Sequence, residues 1–441
     1  MLDTRPVSIL RMALPVMLSS FIQSVISITD AAFLSRYNDL AYDASGSAGL
    51  LYITCVMAFV GLADGAQIRI ANSVGEKDFR HVGVVFRHAL INLFIAAVLL
   101  SIFIFLFAPS ILHQFVHSEE LAREEVKFLK IRSFAFWAEV ISMSLQAFFY
   151  GTGRTSVMLV SAIIIAVSNT IMGWLFIFGF GSIPSMGLEG AALASTLAEI
   201  LGMLFLVVMA FRKSYSREYM LLRNWKIVSS ELLAHLKIGI PLVLQGLVAM
   251  SVWTIFFIWI EQMGGYELTV SLNIRYIYFL AFIPIWGFAA ATKTYVAQLV
   301  GADRLGEIPK VQRRIQLLTV GFLLLTFHGA LLYPEALIKM VNTDPQVLHD
   351  SAAILRLVAG SILIYGFSSV FFQTVSGVGK TQVTFLIEVL STSCYLITAY
   401  LLIKVFKVDI TYVWFVEYAY FITMGICAYS YMKWIHKFKI A

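Results

Sequence analysis

An internal repeat constrains the fold of this chain more than any other sequence feature. Three short motifs of the first half return in the second half after 226 positions, namely Leu10–Pro15 (LRMALP) as Leu236–Pro241 (LKIGIP), Ala71–Gly75 (ANSVG) as Ala297–Gly301 (AQLVG), and Gly151–Thr155 (GTGRT) as Gly377–Thr381 (GVGKT). Three matches in one register indicate a duplicated architecture. We therefore expect the two halves of the chain to share one fold.

Composition places both halves in a membrane. Hydrophobic residues make up 60% of the 441 residues and charged residues 13%, which is more apolar surface than a soluble domain can bury. Hydropathy marks about twelve spans of membrane length, at residues 7–35, 46–73, 84–109, 126–149, 157–180, 187–211, 233–260, 268–298, 315–334, 351–375, 382–404 and 411–432. The sequence predicts an all-α polytopic membrane protein with twelve transmembrane helices.

The repeat and the spans together predict the domain organisation. Six spans in each half return the chain to the side of the membrane from which it started, so the halves are parallel repeats about an axis normal to the membrane. We predict two six-helix lobes, at residues 1–211 and 233–441, joined by a basic, polar linker at residues 212–232. Lys and Arg concentrate in the segments that are cytoplasmic if both termini are inside. This predicts a multi-pass protein of the inner membrane with two cytoplasmic termini.

Several other function classes are disfavoured. The net charge of +6 fits the basic cytoplasmic loops of a membrane protein, so we expect no nucleic-acid partner. Cys55, Cys394 and Cys427 lie in apolar runs at spacings of neither a metal site nor a redox pair. Thr374–Thr381 (TVSGVGKT) nearly spells a phosphate-binding loop, but it lacks the first glycine and follows a membrane helix where the motif needs a strand. We expect neither an enzyme nor a cofactor.

The pattern resembles the multidrug and toxic compound extrusion (MATE) transporters of prokaryotic type, over essentially the full length. The resemblance is carried by the prolines that open spans one and seven, by Asp30 in TDAAFLSR, by the ANSVGEKD and AQLVGADR ends of spans two and eight, and by the G-x-G-[RK]-T ends of spans four and ten. It implies an antiporter that exports organic compounds, cationic or lipophilic, in exchange for Na⁺ or H⁺. It also implies a rocker-type motion between inward-open and outward-open states.

The resemblance further implies particular ion-coupling residues. The first-span aspartate of the family matches Asp30, its fifth-span asparagine matches Asn169, and its polar sixth-span position matches Ser195. A second aspartate, found in many members, falls at Gly173. Carboxylates that some members carry in the C-terminal lobe fall near Ala249 and Tyr365, so we expect ion coupling to lie in the N-terminal lobe, with Na⁺, if it is the ion, at Asp30 and Asn169.

Depth arithmetic adds companions to Asp30. At 1.5 Å of rise per residue, five polar side chains lie about 16–22 Å from a common end of their helices: Asp30, Asp64, Glu139, Asn169 and Glu199. Four carboxylates at one level cannot all be ionised without strong repulsion. We predict that these five residues and Ser195 couple the ion, and we hypothesise that Glu139 or Glu199 supplies the charge that is missing at Gly173.

Other interpretations stay open at this point. Na⁺ needs several oxygen ligands, whereas a proton needs one carboxyl group in a suitable environment. Asp64 could brace Arg69 along one helix, and Glu139 and Glu199 could be polar contacts between helices. The alternative function is a lipid-linked oligosaccharide flippase of the same superfamily, which would need a cationic cavity; the sequence places carboxylates at mid-depth and few basic residues there.

The substrate and partners are predicted more coarsely. We expect a small-molecule substrate in a cavity that includes Gln146, Gln245, Tyr365 and Glu417, within a chain rich in aromatic residues that can hold planar or cationic molecules. The lipid bilayer is the other expected partner. We expect the transporter to be a monomer.

Overall fold

The computed structural model describes residues 3–115, 118–212, 217–221 and 226–439. Within these ranges the regular elements are helices, and one isolated antiparallel bridge joins Phe180 to Ile183. Parts of the predicted linker, residues 213–216 and 222–225, lie outside the described residues.

The described residues of the first half include these helices: α1 (Pro6–Tyr37), α2 (Asp39–Gly75), α3 (Phe79–Phe115), α4 (Glu119–Phe134), α5 (Phe136–Gly151), α6 (Ser156–Phe178) and α7 (Gly187–Ala210). Side chains at two of the helix starts satisfy backbone N–H groups that have no partner within the helix. The Asn38 side chain accepts from the Ala41 N–H at the start of α2, and the Ser118 hydroxyl accepts from the Leu121 N–H at the start of α4. The predicted span at 126–149 is two helices, because the helix breaks at Ala135.

The second half repeats this order: α8 (Ser229–Glu261), α9 (Gly265–Gly301), α10 (Ile308–Thr326), α11 (Gly329–Leu332), α12 (Pro334–Ile338), α13 (Pro345–Gly377), α14 (Thr381–Tyr400), α15 (Ile410–Val413) and α16 (Val416–Lys439). A 3₁₀ turn at Leu305–Glu307 precedes α10, and a π turn at Leu401–Val405 follows α14. The predicted span at 315–334 was wrong in its bounds, because the chain leaves α10 after Thr326 and continues in short helices.

The helix bounds repeat the offset of the sequence motifs. Both ends of α9 lie 226 positions after the corresponding ends of α2. Helices α5 and α13 end on Gly151 and Gly377, which match each other in the repeat. One difference is that α4 and α5 are separate, whereas α13 runs unbroken through the equivalent residues. Ten helices in the described residues are long and apolar enough to cross a membrane. The broken α4–α5 span and the α10 span complete the twelve, six in each half.

The chain packs into two compact units. We name Leu18–Val243 the N-unit, and Met1–Met17 with Leu244–Ala441 the C-unit. The two crossing points, after Met17 and after Val243, match each other in the register of the repeat. Each unit therefore contains the beginning of the first helix of the other half. The predicted lobe boundaries at residues 211 and 233 stay a prediction.

Close backbone packing fixes the beginning of α8 in the N-unit. A Cβ atom on Gly61 of α2 would lie 2.4 Å from the Val243 nitrogen, and one on Gly65 would lie 2.9 Å from the Gly239 Cα. Glycine at these positions allows the two helix backbones to touch, as small residues do between membrane helices. The buried His235 ring adds polar contacts nearby, with the Leu62 carbonyl oxygen at 2.8 Å and the Asn92 side chain at 2.9 Å from its two nitrogens.

The beginning of the chain is fixed in the C-unit in a comparable way. A Cβ atom on Gly287 of α9 would lie 2.4 Å from the Met17 side chain. The Tyr295 hydroxyl donates to the Asp3 carbonyl at 2.9 Å, and Arg314 donates to the Thr4 carbonyl at 2.7 Å. Helix α1 therefore begins in the C-unit and continues in the N-unit. Helix α8 begins in the N-unit and continues in the C-unit.

Candidate transport cavities

A cavity of about 510 Å³ lies inside the N-unit, among α1, α2, α4, α5, α6 and α7. It brings together five of the six predicted coupling residues and one predicted substrate residue: Asp30, Glu139, Asn169, Ser195, Glu199 and Gln146. Apolar side chains such as Ile53, Val56, Met143 and Ile165 form much of the remaining wall. The residues come from six different helices, so the cavity depends on the packing of the whole bundle.

Asp30, Ser195 and Asn169 form a chain of polar contacts on one side of this cavity. The Ser195 hydroxyl donates to Asp30 Oδ2 at 3.4 Å and accepts from Asn169 Nδ2 at 2.9 Å. The Asn169 side chain is buried, and its Oδ1 has no hydrogen-bond partner among the described residues. The resemblance implied that these three side chains act together, and the structure places them together.

Gly173 lies beside Asp30, where the family often has a second carboxylate. A Cβ atom on Gly173 would lie 3.9 Å from Asp30 Oδ1 and 3.7 Å from the Phe33 ring. A carboxylate at this position would therefore face Asp30 directly. In this chain the nearest group on that side is an aromatic ring.

Arg132 is the cavity residue that sequence reasoning missed. Its Nη2 donates to Glu199 Oε1 at 2.7 Å, and its guanidinium group lies 4.2 Å from the centre of the Tyr52 ring. The Arg132 and Glu199 side chains are 8% and 17% exposed. No periodic signal pointed to Arg132, because its partner Glu199 lies on another helix, far along the chain. Arg132 is the basic residue that lines this cavity, where few basic residues were expected.

The ion pair changes the charge balance of the cavity. Three carboxyl groups, Asp30, Glu139 and Glu199, face one guanidinium group. Glu199 is bound by Arg132 across α4 and α7, which agrees with the alternative role as a polar contact between helices. Glu139 lines the same cavity, and the hypothesis that it supplies the charge missing at Gly173 stays a prediction.

Buried polar atoms without partners gather at this cavity. Among the described residues, four such atoms belong to side chains that line it: Tyr52 OH, Arg132 Nη1, Asn169 Oδ1 and Glu199 Oε2. A buried polar atom without a partner costs about 1–3 kcal/mol, so native proteins satisfy such atoms with water or with a ligand. The cavity is suited to a polar or charged occupant.

The side-chain oxygen atoms in the N-unit cavity determine which ion it could bind. Asp30, Asn169 and Ser195 together offer side-chain oxygens of the kind that a hard cation binds, but position 173 adds none. In the described residues no group of three or more His, Cys, Asp or Glu side chains could hold a metal ion. A proton needs a single carboxyl group, which Asp30 or Glu139 provides.

Asp64 is not brought into this cavity. It is half-buried on α2 and lies outside the set of lining residues. Arg69, its suggested partner, instead pairs with Glu231 of α8, and Arg69 Nη1 donates to the Glu231 carbonyl at 3.1 Å. Arg69 thus helps to fix the beginning of α8.

A second cavity, of about 250 Å³, lies inside the C-unit. Aromatic side chains dominate its wall: Trp253, Tyr278, Phe279, Phe282, Trp286, Tyr365, Tyr395, Tyr420 and Phe421. Tyr365 and Glu417 of the predicted substrate cavity line it, whereas Gln245 does not. Ala249 also lines it, so both positions at which some family members carry a C-terminal carboxylate face this cavity.

Glu417 is the acidic side chain of the second cavity. Its carboxyl group accepts from the Tyr278 hydroxyl at 2.5 Å and from the Tyr395 hydroxyl at 3.1 Å. Glu388 is equally buried and accepts from the Tyr420 hydroxyl at 2.5 Å. A carboxyl group within an aromatic wall suits a planar or cationic molecule.

The fold and its two cavities define a class of protein, a polytopic membrane transporter with twelve membrane-spanning segments in two parallel-repeat six-helix lobes. The MatE family model matches the chain twice, at residues 15–175 and 241–401. The two matches are displaced by the same offset as the sequence motifs at both of their ends, which confirms the internal repeat. This chain belongs to the MatE family.

Two relatives illustrate the likeness in sequence. The "Probable multidrug resistance protein NorM" of Thermotoga maritima is 23% identical over 419 residues, covering 92% of this chain and 87% of the relative. The "Probable multidrug resistance protein YoeA" of Bacillus subtilis is 21% identical over 433 residues, covering 96% and 93%. Both relatives match over nearly their whole length.

Solved structures show the same fold. One, described as "Crystal structure of MATE in complex with MaD3S", has a TM-score of 0.91 at 18% identity, covering 98% of this chain and 97% of that one. Another, described as the outward-facing conformation of a multidrug resistance MATE family transporter of the MOP superfamily, has a TM-score of 0.87 at 18% identity, covering 97% and 94%.

Proposed function

We propose that this protein is a cation-coupled antiporter that exports organic compounds, cationic or lipophilic, in exchange for Na⁺ or H⁺. The observation that carries the proposal is the N-unit cavity, in which Asp30 and Glu139 line a space whose walls combine polar and apolar side chains. Ionisable groups within membrane-spanning helices mark ion and substrate pathways. The names of the relatives, which are multidrug resistance proteins, support the same reading.

The coupling step is an exchange of occupants at the N-unit carboxyl groups. A proton or Na⁺ on Asp30 neutralises the charge that would hold a cationic substrate, so loading of the ion favours release of the substrate. Alternating access by a rocker-type motion then separates the two events in space. Each charge that crosses a potential of 100 mV contributes about 2.3 kcal/mol.

The transporter is placed, in this proposal, in the inner membrane with both termini in the cytoplasm, as the distribution of Lys and Arg indicates. The flippase alternative is disfavoured by the charges that line the N-unit cavity. A site for a pyrophosphate-linked lipid needs several cationic groups, whereas Arg132 stands there against three carboxyl groups.

The proposal is tested in proteoliposomes loaded with a fluorescent organic cation. We expect the full chain to export the dye when an inward Na⁺ or H⁺ gradient is imposed, and Asp30→Asn to lose at least about 90% of the gradient-dependent rate, because it removes the carboxylate that exchanges its occupant. Asp39→Asn, at an exposed position in the first turn of α2, is the matched control and should export at the normal rate. Equal dye movement with and without both gradients would refute the antiporter proposal.

A further inference from the structure

Glu125 is a buried carboxyl group that lines neither of the two cavities. It lies in the second turn of α4, and the residue is 1% exposed. Its Oε1 accepts a hydrogen bond from the Ser47 hydroxyl of α2, whereas Oε2 has no partner among the described residues. A buried polar atom without a partner is costly, so this oxygen calls for a role beyond packing.

The carboxyl group also lacks a basic partner in the described part of the chain. Lys127, two residues further on, is paired with Glu124 and Glu189 at 2.9 and 3.3 Å. Arg132 is paired with Glu199. A buried carboxyl group without a fixed counter-charge can exchange a proton, and chains of such groups form proton relays in transporters.

The second half shows that the fold does not require a carboxyl group at this position. In the register of the repeat, Glu125 matches Ser351 and Ser47 matches Asn273. These two residues also contact each other, because Asn273 Nδ2 donates to the Ser351 hydroxyl at 3.4 Å. A neutral polar contact therefore suffices in the C-unit. The carboxyl group is found only in the unit that contains the acidic cavity.

Ser47 connects Glu125 to the surface of the N-unit. Ser47 is exposed, and its hydroxyl can donate either to Glu125 or to the Asp43 carbonyl, which lies 2.9 Å away. When Glu125 is ionised, Ser47 donates to it. When Glu125 is protonated, its O–H can donate to Ser47 while Ser47 donates to Asp43, so the contact accommodates both forms of the acid.

On the other side, Glu125 shares a helix face with residues of the N-unit cavity. Phe128 and Arg132, three and seven positions further along α4, line that cavity, and residues with this spacing lie on one face of a helix. Arg132 is about 10 Å from Glu125 along the helix axis. A few bridging water molecules can span such a distance.

Buried polar atoms without partners continue from Glu125 into the cavity. After Glu125 Oε2 they include Tyr52 OH, Arg132 Nη1 and Glu199 Oε2. Water satisfies buried polar atoms that offer it two or more partners, and protons are transferred through water and side chains joined by hydrogen bonds. Because the charges of Arg132 and Glu199 cancel at a distance, the pair does not exclude a proton from this route.

We propose that Glu125 is a proton relay between the outer face and the N-unit cavity. In the proposed orientation α2 and α4 begin at the outer face, so Glu125 is reached from that side. An O–H bond forms at Oε2 when Glu125 takes H⁺ from outer water. That bond breaks when the H⁺ passes through water to a carboxylate of the cavity, Asp30 or Glu139, and Glu125 is again ionised. The inference rests on the proposed antiport, and of its two ions it concerns H⁺.

The test compares two measurements in proteoliposomes of the full chain. One is export of a fluorescent organic cation driven by an inward H⁺ gradient, and the other is exchange of dye for dye without an ion gradient. Only driven export needs a proton from the outer face. We expect Glu125→Gln, which keeps the size and loses the acid, to slow driven export about tenfold or more and to change exchange less than about twofold. Glu125→Asp keeps the acid and should lie between.

Two further variants separate proton transfer from stability. Glu120→Gln removes an exposed carboxylate from the first turn of the same helix, and as the matched control it should behave like the wild type in both measurements. Glu125→Ser copies the neutral contact of the C-unit. It should show the same selective loss of driven export as Glu125→Gln.

The possible outcomes distinguish the relay from the antiporter proposal. Driven export at the normal rate in Glu125→Gln, an equal loss of driven export and exchange, or a wild type driven by Na⁺ alone would overturn the relay. If no ion gradient drives export in the wild type, the antiporter proposal fails. Infrared difference spectra of the purified protein on acidification then decide the relay. A protonated-carboxyl band that Glu125→Gln removes would support proton uptake at Glu125, and the lack of such a band would overturn it.

Discussion

At the scale of single residues, the N-unit cavity shows how few positions set its charge. Asp30, Asn169 and Ser195 were predictable because their motifs resemble a known family, and the structure places them in contact. Arg132 was not predicted, because a single arginine in a span with polar neighbours gives no pattern of its own. Its role depends on Glu199, which is 67 residues away in the chain, and hydropathy does not report pairs so distant.

The Arg132–Glu199 pair makes a prediction about stability. Glu199→Gln removes the carboxylate that pairs directly with the buried guanidinium group, and removal of one partner of a buried pair costs about 3–5 kcal/mol. We expect a marked fall in the thermal unfolding temperature of the purified protein. Glu119→Gln breaks the pair with Arg123, in which both side chains are mostly exposed, and should change the unfolding free energy by less than about 1 kcal/mol.

The comparison of these two variants checks the account of the pair. If Glu199→Gln unfolded at the same temperature as Glu119→Gln, the buried pair would contribute no more to stability than the exposed one, which would contradict this account. Removing both charges in Arg132→Gln/Glu199→Gln should recover much of the lost stability.

At the scale of helices, the sequence predicted their number and order better than their ends. Long apolar spans and the repeat gave twelve spans, because period and length are properties of one segment. The break at Ala135 between α4 and α5 was not predicted, because the equivalent residues of α13 form one helix and no proline marks the break. The end of α10 was also misplaced, because the apolar run continues past Thr326 through the short helix Gly329–Leu332.

The close contact between α2 and α8 gives a prediction at this scale. Gly61→Ala places a methyl group 2.4 Å from the Val243 backbone nitrogen, so the helices must separate, and we expect a loss of about 1–3 kcal/mol of stability. Gly46→Ala, in the same helix but with no atom within 4 Å of the new methyl group, should be neutral or stabilising by up to about 1 kcal/mol. Thermal unfolding in detergent measures both, and equal behaviour of the two variants would contradict the packing described for α8.

At the scale of the whole molecule, the two halves share helix order but differ in chemistry. Asp30 of the first half matches Phe256 of the second half in the register of the repeat, and Phe256 is a buried aromatic residue in the C-unit core. The N-unit cavity is rich in carboxyl groups, whereas the C-unit cavity is aromatic with Glu417 held by two tyrosine hydroxyls. The repeat predicted the common fold, but it could not predict this asymmetry, because a duplicated backbone does not constrain which side chains fill its cavities.

The sequence also did not predict that α1 and α8 each begin in one unit and continue in the other. The chain leaves one compact unit for the other after residues 17 and 243, within continuous helices that show no change in composition. Contacts made far along the chain, such as the approach of Gly239 to Gly65, decide where each unit begins. Such contacts are a property of tertiary packing and leave no periodic signal.

The central claim is that carboxyl groups of the N-unit cavity exchange an ion for substrate. Its most direct test imposes an outward gradient of the exported dye across proteoliposomes without any ion gradient, and records internal pH and Na⁺ together. The account predicts that dye efflux drives H⁺ or Na⁺ inward in a fixed ratio, and that Asp30→Asn abolishes the ion movement. Dye efflux with no movement of either ion, or undiminished ion movement in Asp30→Asn, would contradict it.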